Sequence, residues 1–240
     1  MRKLNSRLLL ALFIGFNLSI SCAGAEEIPA KVVMLGDSIT KGVRTGVTAE
    51  QTFAAVVHKR LNAAGVAVEV VNVGIGGERT DQALARLDRD VIAKQPRVVV
   101  IMYGTNDSYV DQGKKQSRIS ADAYEQNLRT LVIRLRAADA TVVLMTEPRW
   151  GETAGDNGAG EHPNVRLENF MQRCRLVAKE QQVPLVDNYA VWTAKQKEGQ
   201  KLGEWTTDQC HPNAVGHRVI AESLVPILKQ LEVVAVGNQL

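Results

Sequence analysis

Aromatic residues are scarce in this sequence: four Phe, four Tyr and three Trp make up 5% of 240 residues. A core must therefore be built from the Val, Leu, Ile and Ala that dominate the 45% hydrophobic content. Cysteine is scarcer still, at three, so at most one pairing is available. No basic patch with interleaved aromatics occurs, and nucleic acid is not an expected partner. The stretch Gly74-Ile75-Gly76-Gly77-Glu78-Arg79 lacks the last glycine of G-x-G-x-x-G, and no G-x-x-x-x-G-K-[ST] is present. A nucleotide- or flavin-binding role is disfavoured on both counts. No internal repeat, low-complexity tract or shift of composition divides the chain, which reads as one domain behind its amino-terminal leader.

The apolar run from Leu8 to Ile20 follows Arg2, Lys3 and Arg7 and precedes Ala23-Gly24-Ala25. A positive start, a run too short to span a bilayer comfortably and an A-x-A pattern describe a secretory signal. Residues 1–25 are expected to be removed, leaving 26–240 as an exported (periplasmic or extracellular) domain without stable membrane insertion. Lipidation at Cys22 is the competing expectation; Ser19 stands three residues before it, where a lipoprotein signal usually has an aliphatic residue. Cleavage removes three of the 29 Lys+Arg and none of the 26 Asp+Glu, so the mature chain is formally neutral. The sequence pI of 8.8 says little about partners. Cys174 and Cys210 remain, as a disulfide or as two buried thiols.

What is present is an alternation. Apolar, β-branched runs end at Gly36, Val73, Met102 and Thr146, with a shorter one at residues 184–187. Between them lie segments of helical periodicity at residues 53–65, 80–92, 120–137 and 165–181, with a last one at 214–231. Residues 188–205 read as partly helical. Strands that are apolar throughout and alternate with helices predict an α/β fold whose parallel sheet is covered on both faces. In such sheets functional loops gather at the carboxyl ends of the strands. Gly36-Asp37-Ser38, Gly74–Gly77 and Gly104–Asp107 all follow strand ends.

Ser38 in such a loop is a candidate nucleophile if a base, an orienting acid and an oxyanion site are supplied. Four histidines follow the leader: His58, His162, His211 and His217. His211 stands three residues after Asp208, a spacing that can place both side chains on one side of a turn. A carboxylate there would hold the imidazole tautomer and stabilise the imidazolium. Asn106 offers a side-chain amide, while Gly77 and Ser38 offer backbone N–H groups, as oxyanion donors. Each loop alone also reads as an ordinary turn or helix cap; the argument for chemistry is their joint occurrence.

Gly36-Asp37-Ser38-Ile39-Thr40, Asn72 to Gly77, Gly104-Thr105-Asn106-Asp107 and Asp208-Gln209-Cys210-His211 resemble, in type and order, the four blocks of the SGNH, or GDSL-like, hydrolases. They span essentially the whole mature chain. The resemblance implies a flavodoxin-like three-layer α/β/α sandwich with a five-stranded parallel sheet. It implies Ser38 as nucleophile, His211 as base and Asp208 as its partner. It implies Ser38, Gly77 and Asn106 as oxyanion donors, and requires no metal or organic cofactor. Ile39 replaces the leucine of the usual G-D-S-L.

The ester is less legible. The loops at residues 108–118 and 147–164 are mostly polar and provide no long apolar lining for an acyl chain. Trp150 and Trp205 could stack on a sugar face or plug the core. Glu147 and Arg149 could orient a leaving group or pair with each other, and Asp37 is a further candidate substrate contact. An exported esterase that removes short acyl groups, foremost O-acetyl, from a small-molecule or polysaccharide ester fits best. A lysophospholipase or acyl thioesterase of the same fold is the enzymatic alternative, and a non-catalytic binding module the other.

Overall fold

The computed structural model describes residues 29–231; the expected signal segment lies outside them. Five strands, β1 (Ala30–Gly36), β2 (Val68–Asn72), β3 (Val98–Met102), β4 (Thr141–Met145) and β5 (Leu185–Val186), form one sheet in the order β2-β1-β3-β4-β5. Every pairing is parallel. Among the described residues eight α-helices connect and follow them: α1 (Ser38–Lys41), α2 (Phe53–Ala63), α3 (Thr80–Asp90), α4 (Thr105–Ser108), α5 (Ala121–Ala137), α6 (Asn164–Glu180), α7 (Asn188–Lys197) and α8 (Ala214–Gln230). This is the expected three-layer α/β/α sandwich.

The period-2 geometry of a strand explains why the central strands are apolar throughout. Val33, Leu35, Val99, Ile101, Val142 and Leu144 point to one face, where they meet Leu87 of α3, Leu128 and Leu131 of α5 and Phe170 of α6. Val32, Met34, Val100, Met102, Val143 and Met145 point to the other, against Phe53, Val57 and Leu61 of α2 and Ile220 and Leu224 of α8. A polar residue at either parity would lose a contribution of roughly 1.5–3 kcal/mol per large side chain. The sheet is thus specified on both sides.

The chain leaves β1 in one direction to form β2 and then crosses to the opposite side of β1 to form β3. This reversal opens a crevice at the carboxyl ends of β1 and β3. Close approach at that end requires glycine at Gly36. A Cβ there would lie 2.0 Å from Thr40 Oγ1 and 2.6 Å from the Met102 carbonyl oxygen. The sequence reading differs from the structure mainly in short elements. Ser38–Lys41 and Thr105–Ser108 are single helical turns rather than loops, and β5 is two residues long. Pro226 lies inside α8 without ending it.

Candidate active site

Ser38 is the first residue of α1, capped by Asp37, whose Oδ1 accepts the Ile39 N–H at 2.8 Å. Its hydroxyl lies 2.9 Å from His211 Nε2. His211 Nδ1 faces Asp208, 2.8 Å from Oδ2 and 3.1 Å from Oδ1. An acceptor carboxylate at Nδ1 favours the tautomer with its proton there, leaving Nε2 free to accept from Ser38. The Asp208–His211 turn is itself hydrogen-bonded: Asp208 Oδ1 accepts the backbone N–H groups of His211 at 2.8 Å and Cys210 at 3.2 Å. One aspartate thereby fixes both the loop and the ring.

The electrostatics follow this geometry. Partial burial alone would raise the Asp208 carboxyl, but hydrogen bonds from the His211 backbone and ring, with the ring's charge, hold it down at about 2. Burial lowers His211 below its ordinary value; Asp208 partly opposes this and Arg44 reinforces it. A lowered imidazole stays neutral, and so able to accept a proton, into mildly acidic solution. Arg44 Nη2 donates to Asp208 Oδ2 at 2.7 Å.

The Asn106 side chain is held from both ends. Its Nδ2 donates to Asp37 Oδ2 at 2.9 Å, and its Oδ1 accepts from Arg118 Nη1 at 3.0 Å. The second Nδ2 proton is left for another acceptor. The loop after β2 is drawn onto α1 by Asn72, whose Nδ2 donates to the Thr40 carbonyl at 2.7 Å and whose Oδ1 accepts Gly74 N–H at 2.9 Å. Ile75 N–H donates to the Gly36 carbonyl at 3.0 Å. A Cβ on Gly76 would stand 3.9 Å from Ser38 Cβ, so this loop lies against the serine. Gly77 has φ of +78°, which favours glycine, and open space where a side chain would begin. Asp107, next to Asn106, accepts from Thr80 N–H at 2.9 Å and Thr80 Oγ1 at 2.6 Å. It ties the loop after β3 to the loop carrying Gly77.

Ser38, Asn106 and His211 open into a cavity of about 130 Å³ whose remaining walls are Thr105, Tyr109, Arg118, Trp150 and Cys210. Tyr109 and Trp150 stack with ring centroids 5.9 Å apart and planes inclined by 18°. The Arg118 guanidinium covers Tyr109 at 5.2 Å. Burial pushes the Cys210 thiol well above its ordinary value. It therefore stays protonated, a poor nucleophile. Among the described residues no group of three or more His, Cys, Asp or Glu side chains is placed to hold a metal.

Several residues read from the sequence as substrate contacts lie elsewhere. Asp37 and Glu147 are fully buried and cannot touch substrate. Trp205 packs edge-on against Trp192 at 5.3 Å in a separate apolar cluster with Leu202. Arg149 neither pairs with Glu147 nor lines the cavity: its guanidinium covers Tyr189 at 5.4 Å and reaches Thr193 at 3.5 Å. A position after a strand end, or an aromatic in a loop, is a sequence signal that does not report side-chain direction. Trp150 does line the cavity. Cys174 and Cys210 are both free and buried. His217 is buried against Phe53, while His162 reaches the Gly151 carbonyl at 3.0 Å. Conversely, Arg44, Tyr109 and Arg118 had no motif to mark them.

The GDSL-like Lipase/Acylhydrolase family model matches residues 34–219. The chain belongs to that family. It is a carboxylic ester hydrolase. An acetylxylan esterase of Geobacillus stearothermophilus is 30% identical over 209 residues, covering 81% of this chain and 92% of the relative. A rat (Rattus norvegicus) isoamyl acetate-hydrolyzing esterase 1 homolog is 26% identical, covering 87% and 85%. Among solved structures, a variant of the Geobacillus acetyl-xylooligosaccharide esterase superposes with a TM-score of 0.70 at 26% identity, covering 83% of this chain and 95% of the other. The family match includes all the GDSL-like blocks quoted above, from the strand before Ser38 to the helix after His211. Among the described residues no helix of this hydrolase is long and apolar enough to cross a membrane.

Proposed function

We propose that this hydrolase removes short acyl groups, foremost O-acetyl, from carbohydrates through an acyl-enzyme on Ser38. The observation that carries the reading is the unbroken chain Ser38 Oγ–His211–Asp208 opening into a 130 Å³ cavity. As the Ser38 oxygen attacks the ester carbonyl, His211 Nε2 takes its proton and Asp208 stabilises the imidazolium. The developing oxyanion is held by the N–H groups of Ser38 and Gly77 and by the free Nδ2 proton of Asn106. Collapse expels the sugar hydroxyl, protonated by His211. Water activated by the same nitrogen then attacks the acyl-enzyme, and acetate leaves.

The cavity supports a small acyl group. An engineered cavity of about 150 Å³ accepts benzene, so this one has room for a two-carbon acyl unit. The stacked Tyr109 and Trp150 offer an aromatic wall to a sugar face. The names of the acetylxylan and isoamyl acetate esterases concern acetyl esters too. Export through removal of residues 1–25, leaving a single domain from 26 to 240, belongs to the same proposal; mass spectrometry of the exported form gives its amino terminus.

The test is hydrolysis of p-nitrophenyl acetate, butyrate and octanoate beside acetylated xylan. Rates should fall with acyl length and acetate should be released from xylan. A rate rising steadily with length would overturn the acetyl reading in favour of a lysophospholipase or thioesterase. Ser38→Ala should lose more than about 1,000-fold in kcat while keeping its fold, and a serine-directed phosphonate should label wild type at Ser38. No labelling would favour a binding module.

A further inference from the structure

Beside the Ser38 cavity lies a larger one of about 650 Å³, and Arg118 lines both. Its charged walls are Arg79, Asp111, Lys114, Lys115 and Arg118. Four cations thus face one carboxylate. Two of the cations are paired: Arg118 with Asp111 at 2.7 Å, and Arg79 with Asp81 at 2.9 Å. Lys114 and Lys115 make no ion pair among the described residues. Two uncompensated positive charges therefore line this groove, on a mature chain whose formal charge is zero. The excess is local.

The groove is also in line with the chemistry. Arg118 touches Asn106 Oδ1 at 3.0 Å, and Arg79 follows Gly77 by two residues. A chain of sugars with one ester seated at Ser38 would lay a neighbouring unit across Arg79, Lys114 and Lys115. A neutral sugar can take hydrogen bonds from lysine ammonium groups held there but gains no charge–charge attraction. An anionic one gains in addition a Coulombic attraction that salt weakens.

We propose that this groove is a subsite for an anionic sugar unit, so that the preferred substrate is an acetylated acidic oligosaccharide rather than a neutral one. The inference rests on the carbohydrate-esterase reading for its substrate, but the subsite is a binding property that can be measured without turnover. Carboxylate- and sulfate-bearing sugars share the required chemistry.

The experiment is calorimetric titration of oligogalacturonate, a sulfated oligosaccharide and neutral xylo-oligosaccharide onto the Ser38→Ala protein, with and without Lys114→Gln and Lys115→Gln. Thermal unfolding checks that the variants fold. At least one anionic ligand should bind, more weakly at high salt, and the double lysine change should raise its Kd about tenfold while leaving the neutral ligand unaffected. Which anion binds tighter assigns the source. In the Ser38-containing protein the same change should lower kcat/KM for acetylated glucuronoxylan oligomers relative to acetylated neutral xylo-oligomers. Absence of anion binding, or an unchanged Kd in the lysine variant, would overturn the subsite. Anion binding with no release of acetate from any sugar would leave the subsite standing and retire the carbohydrate-esterase reading instead.

Discussion

Arg44 and His211 reach the same oxygen of Asp208, at 2.7 and 2.8 Å. A cation 164 residues away in sequence from Asp208 shares the carboxylate that orients the His211 ring. Its charge also acts on the ring, in the direction that keeps the imidazole neutral. Replacing Arg44 by Gln should therefore raise the His211 pKa and move the acidic limb of the kcat/KM profile to higher pH. Activity should fall most in mildly acidic solution and recover toward wild type above neutrality. An unshifted limb would show that Arg44 merely packs there.

Asn106 has its amide oriented by Arg118 on one side and Asp37 on the other. Asn106→Ala should lower kcat by about 100- to 1,000-fold with little change in KM, as loss of an oxyanion donor does. Arg118→Ala removes the grip on Oδ1 together with its cover of Tyr109 and its pairing with Asp111, and about tenfold in kcat is expected. Steady-state kinetics on p-nitrophenyl acetate separate the two. A loss confined to KM would point to substrate binding instead.

Glu147 is fully buried and neither of its oxygens has a hydrogen-bond partner among the described residues. Burial and the charge of Asp37 hold its carboxyl well above its ordinary 4.5. Burial likewise raises Asp37, to about 7. Below pH 4.5 Glu147 is protonated folded or unfolded and contributes no pH dependence. Above it the unfolded chain releases a proton that the folded one keeps, at a cost on the order of 1 kcal/mol per pH unit until the folded group ionises. Glu147→Gln removes that dependence. The gap in Tm between variant and wild type should widen in favour of Gln as pH rises from 4.5. A gap that stays flat across pH would mean that the carboxyl ionises in the fold as it does in water.

Gly36 and Gly77 should differ under the same substitution. Gly36→Ala meets a backbone oxygen at 2.6 Å that cannot move without shifting β3, so a loss of about 3 kcal/mol or more is expected. Gly77→Ala meets open space at φ of +78° and should lose about 1–2 kcal/mol from the left-handed conformation alone. Urea denaturation of the two variants checks the order.

The layer architecture was legible because both faces of the sheet are covered, leaving unbroken apolar runs at β1, β3 and β4. The site was legible where one short motif carries both the residue and its neighbour, as in Asp208 to His211 and Gly36 to Ser38. Long-range partners were not. Arg44 approaches Asp208 only because the segment after α1 folds over the carboxyl edge, and no local pattern encodes that. Glu147 and Trp205 were misplaced for the complementary reason. A residue at a strand end, like Glu147, or in the turn that follows α7, like Trp205, can point its side chain outward or into the interior, and both of these turn inward.

The side chains that line the cavity rim and the proposed anionic groove are concentrated in one stretch. Tyr109, Lys114, Lys115 and Arg118 lie between α4 and α5, while Ser38, Asn106 and His211 sit on the strand-end turns or the Asp208–His211 loop. Selectivity could thus diverge by rewriting a ten-residue span (109–118) without disturbing the residues proposed to carry turnover, except at Arg118. Because that guanidinium also grips Asn106, a graft of a foreign loop that omits it would arrive with new taste and a slower hand.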